Sequence, residues 1–127
     1  MTFNVVCLIG LFVATPFGLA FLFAPEIASS IYGISGWNSG TTAIARLFGI
    51  ELLYMSGAIY AVRQTPDSAT QRRFSQIFAL ASTIACVVLI QAVLADSANS
   101  FLWSSVAIYA FFALAWANLG FQSTSAN

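Results

Sequence analysis

Thr41–Val62 reads T-T-A-I-A-R-L-F-G-I-E-L-L-Y-M-S-G-A-I-Y-A-V. As a helix rising about 1.5 Å per residue, a run of this length crosses a hydrocarbon core of about 30 Å. It also carries Arg46 and Glu51. An apolar helix of this length belongs in a bilayer, and its two charges pose the functional question.

The remaining sequence supports a membrane reading. Charged residues make up 6% of the 127 and hydrophobic residues 60%. A soluble domain carries about 25% charge, so this chain lacks the polar surface that water requires. Three further apolar runs, at about 3–23, 74–95 and 101–121, have the length of a span. In lipid each must satisfy its own backbone hydrogen bonds, so each is a helix. The first run has no positive leading segment and is too long for a signal peptide, so it is read as a span. The expectation is one all-α domain over 1–127, a membrane-embedded antiparallel four-helix bundle.

The connection between the second and third spans reads R-Q-T-P-D-S-A-T-Q-R-R and contains Arg63, Arg72 and Arg73. The other connections hold no basic residue, so the positive-inside rule puts this loop, and with four spans both termini, on the cytoplasmic side. Thr65-Pro66-Asp67 is a turn signal. Ser68 with Gln71 resembles a capping box opening the third span. In the first connection Pro25 opens a short helix and Gly33 closes it. Ile27, Ile31 and Ile34 recur at helical spacing there, with Tyr32 and Trp37 as interfacial anchors. Trp103 and Trp116 are read as anchors near opposite ends of the last span.

Helices associate in lipid through small residues. Stripes of this kind are Gly10, Ala14 and Gly18 on the first span, and Ala45, Gly49, Gly57 and Ala61 on the second. Ala110, Ala113, Ala117 and Gly120 form a third on the last span. Pro16 frees the carbonyl of Phe12, for which Thr15 or a neighbouring helix is the expected donor. Cys7 and Cys86 fall at different depths and are expected as two separate thiols.

On a helical wheel Arg46 shares the small-residue face with Thr42, Gly49, Gly57 and Tyr60. There it centres a polar cluster with Gln91, Ser104, Ser105 and Asp96, either as a tie between helices or as a ligand contact. Glu51 lies about 140° away at 100° per residue, close to the midplane. A charge there costs at least about 3 kcal/mol. Another helix of the bundle, a second protomer or partner subunit, or a lipophilic ligand is expected to cover it. Tyr109 and Asn118 on the last span either line a cavity or bond a neighbour.

Several fixed letters also carry a resemblance. L-F-A-P-E at 22–26, I-Y-G-I at 31–34, A-R-L-F-G at 45–49 and A-V-R at 61–63 resemble a broad group of small four-helix membrane proteins, loosely DoxX-like. The resemblance implies a four-helix fold, with Pro25, Tyr32, Gly33, Arg46 and Gly49 matching the pattern and Glu51 outside it. It implies no activity.

Composition narrows the function classes. Net charge is zero, which argues against nucleic acid. Without histidine or lysine, the usual proton shuttle and Schiff-base chemistry are missing, and no cofactor or metal site is expected. The first expectation is a non-catalytic accessory subunit or homo-oligomer in contact with membrane lipid, alone or in a larger membrane complex. The second is a cofactor-free enzyme, an isomerase, cyclase or epoxide-opening hydrolase, acting on a lipophilic substrate. Glu51 would donate the proton, and Arg46, Tyr109 or Gln91 would stabilise a developing oxyanion. Transport of a small solute or proton ranks third, since few polar residues are available to line a path.

Overall fold

The computed structural model describes residues 1–34, 36–95 and 100–121. Among these the chain is helical and has no strand. The helices are α1 (Phe3–Phe23), α2 (Pro25–Ser30), α3 (Ser39–Arg63), α4 (Ser68–Leu94) and α5 (Leu102–Phe121). All but α2 are long and apolar enough to cross a membrane. Their outward faces are apolar: Phe12, Tyr54 and Leu114 are 80%, 77% and 73% exposed. Such surfaces suit acyl chains and not water, which makes this a multi-pass membrane protein.

The first span coincides with its predicted limits, α3 extends beyond its limits at both ends, and α4 starts earlier than predicted, at Ser68. Asn38 caps α3: its side-chain oxygen accepts from the Gly40 and Thr41 amides at 2.9 and 3.0 Å, while Thr41 Oγ1 accepts from the Asn38 amide at 2.9 Å. The predicted box at Ser68 and Gln71 is not the one formed. Asp67 is the N-cap of α4, and Gln71 donates instead to the Thr65 carbonyl at 2.7 Å. The first polar turns of α4, with Arg72 and Arg73, are therefore helical although they lie outside the hydropathy window. The short helix after Pro25 forms as expected and leads into Gly33, which adopts φ 75°.

The bundle is built from two close antiparallel pairs, α1 with α3 and α4 with α5, which meet each other along a sparser seam. The first pair closes on glycine. A Cβ on Gly49 would stand 2.8 Å from the Gly18 carbonyl oxygen, too close for any side chain. The Thr15 hydroxyl does not serve the Phe12 carbonyl; it donates to Ser56 Oγ on α3 at 3.2 Å. The second pair closes where Gly120 meets Gln76. The Gly120 carbonyl, at the C-terminal end of α5, accepts from Arg72 Nε at 3.1 Å and Gln76 Nε2 at 2.9 Å. A cation bonded there complements the negative end of the helix dipole.

The seam is filled most densely toward the α3–α4 turn. Trp116, 1% exposed, packs edge-on against Phe3, Phe74 and Phe78, with centroids 5.9, 5.8 and 5.7 Å away. Val6, Cys7, Ile59, Ala79 and Ala115 are the other buried members of this core. Trp116 is therefore a core residue joining both pairs and not an interfacial anchor. Cys7 and Cys86 are separate thiols.

Candidate functional site

Toward the α2 end the same seam opens into a cavity of about 90 Å³. Gly10, Ala14, Leu52 and Met55 line it from one pair, and Phe78, Ile108 and Phe112 from the other. Its lining is mostly apolar; Tyr32, Ser82, Ser105 and Tyr109 are the hydroxyl-bearing residues among the described lining residues. Tyr32 is among the lining residues. Its ring stacks on Phe21 with centroids 6.3 Å apart and meets Phe101 edge-on at 5.4 Å. Its hydroxyl hydrogen-bonds the Ser105 hydroxyl at 3.2 Å. The residue expected as an interfacial anchor is thus inserted between the helix pairs. It can reach the seam because α2 and the turn at Gly33 fold the connection back over the bundle end.

Among the described residues, no charged residue lines this cavity. Arg46 and Glu51 are both exposed on the outside of α3, and neither forms an ion pair or hydrogen bond with a described residue. The buried face of α3 is Gly49, Leu52, Ser56, Ile59 and Val62; of the expected stripe, Gly49 is buried and Ala45 packs against the core, whereas Gly57 and Ala61 are not part of that face. Gly57 and Ala61 face outward, and a Cβ on Gly57 would meet nothing within 4 Å. Arg46 follows that outward side. The wheel failed here because small residues on α3 occur on two faces, and Gly49 but not Gly57 is packed against a neighbouring helix of the chain.

The expected cluster around Arg46 is dispersed. Ser105 is engaged by Tyr32, Ser104 donates to the Phe101 carbonyl at 2.7 Å, and Gln91 is exposed on α4. Asp96 lies outside the described residues. Tyr109 lines the seam cavity, and Asn118 is exposed on α5. Of the residues singled out from sequence, the structure thus brings Tyr109 to the cavity and leaves Glu51, Arg46, Gln91 and Asn118 on outer faces. Among the described residues no group of three His, Cys, Asp or Glu side chains is placed to hold a metal.

Two residues of the seam were not recognised from sequence. Ser82, 7% exposed, lies within an apolar run and is flagged only by its polarity. Ser105 was read as a partner for Arg46, and only the fold-back of Tyr32 reveals its actual contact.

Comparison of the chain with known protein families, with characterised proteins and with solved structures gives no match.

Proposed function

We propose that the protein is a non-catalytic component of a membrane assembly, held to its partner through the outward face of α3. The observation that carries this reading is the placement of Arg46 and Glu51. Both project from a span, at about one third and one half of its length, with no described partner. For Glu51, at mid-span, a charge facing hydrocarbon costs at least about 2.5–3.5 kcal/mol. A partner that covers the face and pairs these groups relieves that cost. Acid catalysis by Glu51 is less well supported, because Glu51 does not line the seam cavity and none of the described residues that line it is charged.

In this reading the termini and the α3–α4 turn face the cytoplasm, as the arginines at 63, 72 and 73 favour. The test is extraction in a mild detergent with mass measured by light scattering. The expected species is larger than one 13.6 kDa chain, and Glu51→Leu reduces it. A single chain both with and without the substitution rejects the proposal.

A second reading is supported by the seam cavity. Its apolar walls and few hydroxyls suit part of a lipophilic molecule with a hydrogen-bonding group. It is compatible with the first, since the cavity and the α3 face are on different sides of that helix.

A further inference from the structure

We infer that the partner on the α3 face is a second copy of this chain, packed with its own α3 in parallel. The inference rests on the assembly reading above and names its partner.

Copies of one protein inserted in one membrane share an orientation. Two α3 helices facing each other therefore run parallel about a twofold axis along the membrane normal. Parallel helix pairs pack through a heptad in which the first and fourth positions, a and d, meet across the axis. With Leu47 at a, Tyr54 and Ala61 also fall at a, while Ile50 and Gly57 fall at d. All five are exposed. The residues that pack inside the chain, such as Gly49, Leu52, Ser56 and Ile59, fall at c and f, on the opposite side of the helix. One helix therefore presents one face to its own bundle and a separate, continuous face outward.

The charges flank that outward face in the order a parallel pair requires. Arg46 takes position g and Glu51 position e of the next heptad. In parallel pairs the g side chain of one helix meets the e side chain of the other, five residues further on. Arg46 of one copy thus meets Glu51 of the second, and the twofold axis repeats the contact. The axial offset is about 7.5 Å at 1.5 Å per residue, a distance that the long arginine stem and the inclination of the helices take up together. The same offset keeps Arg46 and Glu51 of one helix apart, about 140° around the axis.

The interior of the face has the shape for close approach. Open space surrounds the missing Cβ of Gly57, and Ala61 is one turn further on. Small residues at this spacing let two backbones come together in lipid. Tyr54, at a and 77% exposed, then meets its own symmetry mate near mid-membrane. An unrelated partner would need a matching pair of charges at this same offset. A second copy carries that pair already.

The experiment is a charge exchange in the full chain, read as dimer mass and dissociation constant in mild detergent. Arg46→Glu and Glu51→Arg each place like charges across the interface and weaken dimerisation tenfold or more. The double variant R46E/E51R restores it to within about threefold of the unmodified chain. Helicity by circular dichroism verifies that each variant is folded. A double variant no better than the singles overturns the pairing. A wild-type assembly that contains a different polypeptide overturns self-association and leaves the assembly reading standing. A wild-type single chain overturns both. Disulfide trapping supplies an independent arm. Leu47→Cys is expected to cross-link two chains, and Ile77→Cys, exposed on α4, is not. Equal cross-linking at both sites, above the background of Cys7 and Cys86, overturns the proposed face.

Discussion

Gly49 of α3 rests directly on the α1 backbone at Gly18. A Cβ added to Gly49 would lie 2.8 Å from the Gly18 carbonyl oxygen and 2.6 Å from the Leu22 nitrogen. Both obstacles are main-chain atoms, which cannot rotate away. Gly49→Ala therefore forces the pair apart and is expected to destabilise the fold by about 1–3 kcal/mol, the usual range for overpacking. Gly57→Ala is the control. It meets nothing within 4 Å in its own chain, so the monomer gains up to about 1 kcal/mol of helix propensity. Denaturation in increasing SDS, under conditions that keep the protein monomeric, measures both. Equal effects at the two glycines would refute the assigned contact.

Trp116 binds the helix pairs together near the α3–α4 turn, through ring contacts to α1 and α4. Truncation to alanine removes all of them and leaves a cavity, at an expected cost of about 3–5 kcal/mol. Trp103, 49% exposed on the same helix, is expected to change stability by no more than about 0.5 kcal/mol on the same truncation. Thermal unfolding followed by circular dichroism separates the two. A small loss at position 116 would mean that the pairs do not depend on this core.

These two cases also indicate what the sequence can reveal in lipid. The span Phe3–Phe23 was legible to the residue, because length and apolarity suffice to define a helix when water is excluded. The inward face was not legible, because inner and outer faces of a span are both apolar. Gly49 and Gly57 look alike in the sequence, yet one touches a neighbouring backbone and the other faces open space. Trp116 sits near a span end, as an anchor does, and its burial follows from the long-range approach of Phe3 and Phe74. The Arg46 cluster failed for the same reason. Its members were matched by depth, and depth alone does not say which side of a helix faces the bundle.

Tyr32 lines the seam cavity and links the α2 connection to α5 through Ser105. Tyr32→Phe keeps the ring contacts and loses the hydroxyl pair, so it is expected to cost about 0.5–1.5 kcal/mol. Tyr32→Ala removes the ring as well and opens the cavity. Uptake of a small lipophilic fluorophore by the purified protein is expected to rise severalfold in the alanine variant and to stay near the unmodified level in the phenylalanine variant. Equal uptake in both would show that the ring does not control access.

Asp67 couples the start of α4 to pH. Its carboxylate accepts from the Ala69 amide at 3.1 Å, the Thr70 amide at 2.9 Å and the Thr70 hydroxyl. These bonds, the Thr70 hydroxyl first, hold its pKa below the ordinary carboxylate value, with a smaller contribution from Arg73. Because the folded value lies under the unfolded one, the cap contributes fully above the unfolded pKa. The contribution is lost as pH falls through the folded value. Asp67→Asn keeps a capping oxygen that does not titrate, so its melting temperature should fall less steeply on acidification than that of the unmodified protein. Asp67→Ala lacks the cap at every pH and is expected to start lower. Melting curves in detergent from neutral pH to below the unfolded aspartate range compare the three. Parallel acid profiles for the unmodified protein and Asp67→Asn would assign the acid sensitivity to other carboxyl groups.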